Sequence, residues 1–305
     1  PPTKLRSSLR AGAYQILYMR VPSHAAVSAT VSASSKKNKG IVNAILRRIS
    51  EEARIHWPNE GTRLSYPDWI IELLIEDLGE KNAFEMLEKM NEAPPVSVRH
   101  DGYRQDLASQ WITDIIGVSK QDLLLDMCSA PGGKATALAA QARKVVACDV
   151  NESRHNLIQE NKTNLSLENL TQVVSDGRDA PFLSHVFDHI LVDAPCSGLG
   201  VLHRRADSRW RIEESDVKNL AKLQIDLLDS SVRLLKNGGV LSYSVCTVTN
   251  QETVNVVKSL ENRHPNLIPE KLFHERWRKV GNGLQILPQD SGTDGMSMFQ
   301  WKLAN

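Results

Sequence analysis

Two cysteines stand where short apolar segments end, and a thiol in such a place can act as a nucleophile. Cys196 follows the segment HILVDAP, and Cys246 ends the segment VLSYSVC. Either thiol alone is more typical of a buried, inert core residue. As a pair, with the carboxyl group of Asp193 three residues before Cys196, they instead suit covalent catalysis, in which a thiolate attacks an electron-poor carbon.

A glycine-rich turn follows an earlier apolar segment, LLLDM, and precedes a predicted helix. Glycines in such a turn let the backbone approach a ligand at the N-terminus of the helix. The turn lacks both the phosphate-binding P-loop spacing and the GxGxxG spacing, so an oxidoreductase that uses a dinucleotide is disfavoured. Its residues are Cys128, Ser129, Ala130, Pro131, Gly132, Gly133 and Lys134.

Acidic residues close the next two apolar segments, KVVACDV and TQVVSD. Asp149 stands where an acid usually accepts from ribose hydroxyl groups. Asp176 could accept from an adenine amino group. The alternative is that both acids only cap strand ends. A glycine-rich turn followed by two such acids is the layout of class I methyltransferases that use S-adenosylmethionine.

A methyl donor beside paired thiols suits methylation of a pyrimidine carbon. Cytosine C5 is a poor nucleophile, but addition of a thiolate to C6 makes an enamine whose C5 can attack a sulfonium methyl group. Loss of the C5 proton and elimination of the thiol then complete the cycle. Asp193 could hydrogen-bond cytosine N3 and N4, and the second thiol, or a water that it orients, could assist proton removal.

The elements that must position these groups follow an alternating pattern after about residue 104. Continuous apolar strands between helices predict a buried, mostly parallel, doubly wound sheet, and sites on such sheets lie at the carboxyl ends of the strands. The predicted strands are 123–127, 144–150, 171–176, 189–195 and 240–246, and the predicted helices are 105–117, 134–142, 152–164, 215–236 and 250–261.

The preceding part of the chain is predicted to be all-α and is unevenly charged. Residues 1–54 hold ten Lys and Arg against two acids, whereas residues 55–95 hold three against nine. The basic block favours a polyanion such as nucleic acid, the alternative being a solvated helix face. The predicted helices are 5–19, 22–33, 40–54, 67–78 and 80–92, and Pro94-Pro95 ends this region.

Length and composition narrow the class of protein further. A chain of 305 residues with 41% hydrophobic and 24% charged residues is typical of about two globular domains. No long apolar stretch suggests a membrane span, and four dispersed cysteines suggest neither disulfides nor a metal site. We therefore expect a cytoplasmic protein with reduced thiols and no metal. The chain lacks an initiator Met, so we also expect that its first natural residues are missing.

At these motifs the sequence resembles the RsmB/Nop2/Sun family of RNA 5-methylcytosine methyltransferases, over residues 104–305. The segments that carry the resemblance are CSAPGGK, VACDVNESR, VSDGRDA, DHILVDAPCSGLGVL, NGGVLSYSVCTVTNQET and LQILPQDSGTDGMSMFQWKL. The resemblance implies that Cys246 is the nucleophile and that Cys196 assists product release. It also implies that S-adenosylmethionine contacts residues 128–134 with Asp149, Asp176 and Asp193. Val245 departs from the family, since most members have Thr there.

The N-terminal segments SSLRAGAYQILYMRVPSHAAV and KGIVNAILRRI resemble later helices of the NusB-like domain of bacterial family members, which modify 16S ribosomal RNA. The resemblance implies a NusB-like RNA-binding domain over 1–57, incomplete at its N-terminus. A helical linker with the remnant of a small RNA-contacting subdomain would follow over 58–103, and an α/β class I methyltransferase domain over 104–305. Family members carry more residues near His100-Asp101, where we expect missing residues, with a second such junction near Ser35-Lys36.

The expected substrate is an unstacked cytosine in 16S ribosomal RNA, modified by a monomer without membrane contact. Two alternatives stay open, which are the same chemistry on transfer RNA and a non-catalytic RNA-binding assembly factor. A polar segment after DAPCSG could grip phosphates and stack a base, or could be an ordinary surface loop with salt bridges. Its residues are His203, Arg204, Arg205, Arg209 and Trp210.

Overall fold

The computed structural model describes residues 1–19, 21–51 and 57–305. The chain divides into two compact units, Pro1–Asn59 and Glu60–Asn305. Arg20 and Arg54 of the basic block, and the end of the predicted helix 40–54, lie outside the described residues.

The first unit consists, in its described part, of three helices: α1 Thr3–Tyr18, α2 Ser23–Ala33 and α3 Lys39–Glu51. Their apolar faces meet at Leu5, Val27, Val42 and Leu46. Gly12 permits the close approach of α1 to α3, because a Cβ there would lie 2.4 Å from a methyl group of Leu46. The eight described Lys and Arg side chains of this unit are all exposed, and none forms an ion pair within the described residues.

The second unit, which the structure describes in full, is built on one nine-stranded sheet. The strand order is β3-β2-β1-β4-β5-β9-β8-β7, and β6 also pairs with β9. The first five strands are parallel, whereas β9 is antiparallel to β5. The strands are β1 Leu123–Asp126, β2 Lys144–Asp149, β3 Leu170–Val174, β4 Phe187–Asp193, β5 Leu235–Val245, β6 Leu267–Pro269, β7 Arg278–Val280, β8 Gly283–Ile286 and β9 Met296–Leu303.

Helices cover both faces of the parallel part of the sheet, because its strands are apolar on both sides. A capping box of Glu213 and Asp216 begins the longest helix, α10. The helices of this unit are α4 Glu60–Leu64, α5 Asp68–Leu78, α6 Glu80–Lys89, α7 Leu107–Ile115, α8 Gly133–Ala139, α9 Glu152–Asn164, α10 Glu214–Leu234, α11 Val254–Arg263 and α12 Pro288–Ser291.

The structure confirms the predicted α/β methyltransferase fold and differs from the predicted elements mainly at the C-terminus. The antiparallel strands β6 to β9 were not among the predicted elements. β9 is buried along almost its whole length, so its sequence carries no alternation of apolar and polar residues. The predicted helix 250–261 begins instead with a 3-10 turn over Asn250–Glu252, and α11 follows.

The predicted linker 58–103 is largely part of the second unit. Leu74 and Met86, from α5 and α6, belong to one buried cluster with Leu199 and Val248, which follow β4 and β5. Helices α5 and α6 therefore support the loops at the carboxyl ends of those strands. The chain around His100 forms a tight hairpin, closed by bridge pairing of residues 98 and 104.

Candidate active site

The two predicted thiols lie side by side at the carboxyl ends of neighbouring parallel strands. β4 and β5 pair in a register that sets Asp193 beside Ser244, so Cys196 and Cys246 follow at the same edge of the sheet. Their Sγ atoms are 3.1 Å apart, and both thiols are half-buried. Fifty residues of sequence separate them, and only the strand register brings them together.

Asp193 is held beside the thiol pair by one cation and one hydroxyl group. Its Oδ2 lies 2.7 Å from Lys134 Nζ, and its Oδ1 accepts from Ser244 Oγ at 2.6 Å. Burial acts to lower the pKa of Lys134, but the charges of Asp193, Cys246 and the nearby Asp126 outweigh it and raise that pKa. Lys134 therefore stays an ammonium group and places a positive charge near Cys246.

Asp126 is a buried carboxyl group that the sequence analysis did not single out. Neither of its oxygens has a hydrogen-bond partner in the fully described second unit, and Ser129 Oγ has none either. Burial, with the charge of Asp193, raises the pKa of Asp126 to about 7. Burial and the same acidic surroundings hold the pKa of Cys128 well above its usual range, so this thiol stays protonated. An acid at the end of a first strand, before a glycine turn, is the signal that could have identified Asp126.

The glycine-rich turn joins β1 to α8, and its backbone groups are held from several sides. Gly132 has φ +97°, a left-handed conformation that favours glycine, and α8 begins at the next residue. Asp149 accepts from the backbone N–H of Ala130 at 2.9 Å. Asn161 donates to the Pro131 carbonyl at 2.9 Å. Asp149, which is predicted to accept hydrogen bonds from ribose, thus also fixes the shape of the turn.

Asp176 lies after β3, but its carboxylate is engaged with its own loop. It accepts from the backbone N–H and the guanidinium of Arg178, with a shortest contact of 2.6 Å. These hydrogen bonds lower the pKa of Asp176. The structure therefore shows the capping arrangement that was the alternative for this acid. A role in contacting adenine stays a prediction.

A hairpin over residues 98–104 brings an unpredicted arginine to the turn. Arg99 is buried and donates to the Gly133 carbonyl at 2.6 Å and to Thr136 Oγ1 at 3.2 Å. Asp101 pairs with the same guanidinium, which also lies 4.6 Å from the centre of the Tyr103 ring. No sequence signal distinguished Arg99 from the other arginines, because its partners in the turn and in α8 lie more than 30 positions away.

The polar segment after the first thiol divides into structural and exposed residues. Arg209, expected to grip phosphate, is buried and stacks 3.9 Å from the centre of the Tyr66 ring. Arg204 forms ion pairs with Asp106 and Asp294. The structure corrects the expectation for these two arginines, since Arg204 pairs with two aspartates and Arg209 Nη1 donates to Ser65 and Asn91 inside the protein. A second set remains exposed, and its members are Arg205 and Trp210.

A second buried carboxylate, Glu252, lies on the other side of the thiols. It is fully buried in the 3-10 turn after β5, and it accepts from the backbone N–H of Ser197 at 2.8 Å. The sequence did not mark Glu252 as a site residue, because a glutamate in NQET carries no sign of burial. No group of three or more His, Cys, Asp or Glu side chains that could hold a metal ion occurs in the described residues. The described residues also form no helix long and apolar enough to cross a membrane.

A parallel sheet with a glycine-rich turn, strand-end acids and a thiol pair at one edge defines a class I methyltransferase. The family model described as 16S rRNA methyltransferase RsmB/F matches residues 114–303, and the chain belongs to this family. The NusB family model matches residues 2–51. The protein is therefore an S-adenosylmethionine-dependent RNA methyltransferase, as the resemblance implied.

Relatives and solved structures agree with this assignment. Ribosomal RNA small subunit methyltransferase B of Yersinia pseudotuberculosis serotype O:1b is 28% identical over 343 residues, which cover 93% of this chain and 79% of the relative. That alignment is longer than the present chain, so the relative contains interior residues without a counterpart here. The structure of PH0851 superposes with a TM-score of 0.77 at 20% identity, covering 97% of this chain and 82% of that one. The structure of NSun6 from Pyrococcus horikoshii with SFG superposes with a TM-score of 0.61 at 26% identity. The match covers 67% of this chain and 53% of that one.

Several observed features fit S-adenosylmethionine at the turn. The cofactor carries hydroxyl and amino donors and a positive sulfonium centre. The buried oxygens of Asp126 and the hydroxyl of Ser129 lack hydrogen-bond partners in the protein. They could accept hydrogen bonds from the hydroxyl and amino groups of the cofactor. Asp149 and Asp193 stand at the ends of β2 and β4, on either side of β1, and two carboxyl groups there suit a cationic ligand. The residues present therefore match the cofactor of the family.

Proposed function

We propose that this protein methylates C5 of a cytosine in 16S ribosomal RNA through a covalent bond between Cys246 and C6 of the base. The observation that carries the proposal is the thiol pair, with Sγ atoms 3.1 Å apart, beside the carboxylate of Asp193. Methylation at a nitrogen or an oxygen needs no nucleophilic thiol. Two adjacent thiols beside a carboxylate suit an addition and elimination cycle at a pyrimidine.

S-adenosylmethionine supplies an electrophilic methyl group on a sulfonium sulfur. Cys246 adds to cytosine C6 as a thiolate, and the Lys134 ammonium lies near this thiol. Asp193 can accept from the N4 amino group of the base while Lys134 and Ser244 hold the carboxylate in place. After C5 gains the methyl group, a base removes the C5 proton and the bond between Cys246 and C6 breaks.

Cys196 is suited to the release step. Its hydrogen bond with Cys246 and its burial raise the pKa of Cys196 well above the usual range, with further contributions from the charges of Cys246 and Glu252. It therefore remains an S–H group that can hydrogen-bond to Cys246 as that thiolate leaves C6. The structure thus offers an electrostatic reason for the two roles that the family resemblance implied.

The choice of 16S ribosomal RNA is supported by the first unit and by the relatives. The eight described cations of Pro1–Asn59 are exposed and lack internal ion pairs in the described residues, so they are available to phosphate groups. The relative from Yersinia pseudotuberculosis is named Ribosomal RNA small subunit methyltransferase B. In the second unit, Arg205 and Trp210 could contact a phosphate and a base near the thiols. A monomeric state and a cytoplasmic location remain predictions.

The test combines two substrates with two thiol variants. Protein with radiolabelled S-adenosylmethionine is given unmodified 16S ribosomal RNA or bulk transfer RNA, and the label is traced to nucleosides. We expect 5-methylcytidine from the ribosomal RNA. Label from transfer RNA alone would keep the chemistry and reject the substrate, whereas cofactor binding without label in either RNA would favour the non-catalytic assembly factor.

The thiol variants test the covalent step. Cys246→Ala should abolish both methyl transfer and the covalent protein–RNA adduct, because the nucleophile is lost. Cys196→Ala should let the adduct accumulate, because release slows. Cys148→Ala is the matched control, since this buried thiol lies in β2 and should leave transfer intact. An adduct that needed Cys196 and survived loss of Cys246 would reverse the assignment.

A further inference from the structure

Glu252 is a fully buried carboxylate whose hydrogen bonds all come from uncharged groups. Its Oε1 accepts from the Ser197 backbone N–H at 2.8 Å and from Gln224 Nε2 at 3.0 Å. Its Oε2 accepts from Ser197 Oγ at 2.5 Å and from Thr249 Oγ1 at 3.3 Å. No Lys, Arg or His forms an ion pair with it in the second unit, which is described throughout. A buried carboxylate without a cation is costly, so this arrangement calls for a functional reason.

The donors of this network lie in the two loops that carry the thiols. Ser197 directly follows Cys196, whereas Glu252 belongs to the segment that follows Cys246. Gln224, from α10, also donates to the carbonyl of Pro195, the residue before Cys196. The chain is thus fixed immediately before and immediately after the first thiol.

The second thiol is tied to the same network. Thr247, directly after Cys246, hydrogen-bonds to Ser197 Oγ at 3.1 Å. The hydroxyl of Tyr243, in β5, donates to the backbone carbonyl of Glu252 at 2.6 Å. One side chain therefore links the ends of both strands.

We propose that Glu252 is a positioning residue that fixes the Cys196 loop against the Cys246 loop and so sets the contact between the two thiols. Its effect on product release rests on the function proposed above. Its effect on the geometry of the thiols does not.

A carboxylate suits this position better than the amide of similar shape. Glu252 Oε1 faces two N–H donors and Oε2 faces two hydroxyl groups, so a glutamine would have to place its NH2 on the hydroxyl side and reverse both of those hydrogen bonds. The charge of Glu252 also acts on Cys196, whose pKa is raised first by its hydrogen bond with Cys246 and then by burial, with Glu252 adding to both. The other ionisable group near both residues is the buried hydroxyl of Tyr243, whose pKa is also raised, chiefly by burial.

The first experiment measures the spacing of the thiols without RNA or cofactor. Phenylarsine oxide bridges two neighbouring thiols, forming two As–S bonds and releasing one water, so its dissociation constant reports whether the thiols are held together. Wild-type protein should bind it tightly, and Cys196→Ala should not. Glu252→Gln should weaken binding several-fold. Glu261→Gln is the matched control, because this glutamate serves Asn282 and Trp301 near α11 and should bind as wild type does.

The second experiment measures the catalytic consequence with the same proteins. In Glu252→Gln the covalent adduct with 16S ribosomal RNA should accumulate, as in Cys196→Ala, while KM for S-adenosylmethionine changes little. A general loss of structure would instead lower cofactor binding and adduct formation together. Weaker arsenical binding with no adduct in any variant would reject the proposed function and leave the positioning role standing.

A milder variant keeps the test decisive if Glu252→Gln does not fold. Ser197→Ala removes one donor from the network and should show both effects to a smaller degree, in a protein that is less stable than wild type but still folded. Arsenical binding as tight as wild type in a folded Glu252→Gln or Ser197→Ala protein would overturn the proposal. So would equal weakening in the Glu261→Gln control.

Discussion

Two carboxylates flank the thiol pair, and the protein stabilises them in different ways. Asp193 pairs with the Lys134 ammonium at 2.7 Å, whereas Glu252 has only uncharged donors. Each accepts from one serine hydroxyl, Ser244 Oγ at 2.6 Å for Asp193 and Ser197 Oγ at 2.5 Å for Glu252. The Lys134 ammonium pairs with Asp193 on one side of the thiols. On the other side, only uncharged donors stabilise Glu252.

The difference in exposure explains the difference in partners. The Asp193 side chain is 29% exposed, so a base entering the site can reach it. Glu252 is fully buried, so it can act only on the chain itself. A partly buried carboxylate that is paired with a cation can still be reached by a substrate. A buried one with four donors serves as a fixed anchor for two loops.

Asp126 provides a third case and extends the comparison. It has neither an ion-pair partner nor a hydrogen-bond donor in the fully described second unit, and its pKa is raised to about 7 mainly by burial. The three carboxyl groups at this edge of the sheet are therefore stabilised in different ways. Asp193 pairs with a cation, Glu252 accepts from uncharged donors, and Asp126 keeps its proton to about pH 7.

The largest effect should come from removing the cation. Lys134→Met leaves Asp193 and Asp126 without their common positive neighbour, and breaking such a buried pair costs about 3–5 kcal/mol. Urea unfolding should show this loss of the free energy of unfolding at neutral pH. Lys144→Met, at an exposed position in β2, is the control and should change little. An equal effect of the two substitutions would mean that the Lys134–Asp193 pair contributes nothing specific.

The next effect is a pH dependence that originates at Asp126. The folded protein keeps this proton to about pH 7, whereas the unfolded chain loses it near the ordinary value of 3.8. The folded state therefore binds more protons in this window, and stability falls as the pH rises from about 4 to about 7, by about 1.4 kcal/mol per pH unit at most. Asp126→Asn should remove this slope, as measured by urea unfolding at several pH values.

A control separates Asp126 from the other acids. Asp207→Asn changes an exposed carboxylate and should keep the wild-type dependence on pH. If the dependence of stability on pH persisted in Asp126→Asn, the Asp126 carboxyl would not be its source. Asp126 would then not differ from Asp193 in keeping a proton.

Loss of the serine donor at Glu252 should have an intermediate effect. Ser197→Ala removes a charge-assisted hydrogen bond and leaves the carboxylate with three neutral donors, at a cost of about 1.5–3 kcal/mol. Denaturant unfolding gives the stability change, and the arsenical titration gives the change in thiol spacing. A loss below that of the matched serine at Asp193 would contradict the view that Glu252 depends on its neutral donors.

The smallest effect should come from that matched serine. Ser244→Ala also removes a hydroxyl that donates to a carboxylate, but Lys134 still pairs with Asp193. We expect a loss of about 1 kcal/mol or less and no change in arsenical binding. The same unfolding assay gives the free energy of unfolding of Ser197→Ala and Ser244→Ala. The difference between the two values measures how much more Glu252 depends on its serine than Asp193 does.

Much of the fold and the centre of the site could be predicted from the sequence. Apolar segments such as LLLDM and HILVDAP form strands because continuous apolar residues suit a parallel sheet buried on both faces. The C-terminal antiparallel strands escaped prediction because β9 is buried on both faces and lacks alternation. Arg209 was predicted to contact RNA because its position in the sequence does not reveal that its guanidinium stacks on Tyr66 and donates to Asn91.

The sequence by itself determined which chemistry is available, since the residue types at the strand ends, such as Cys196, Cys246 and Asp193, are local properties of motifs. The tertiary structure decided how those groups are tuned. Ser197 and Gln224, which donate to Glu252, and Asp193, which pairs with Lys134, come from segments about 30 to 60 residues away, and the fold brings them together. Charge and burial act through space, so the ionisation of a side chain follows from its neighbours in the fold and not from its neighbours in the chain.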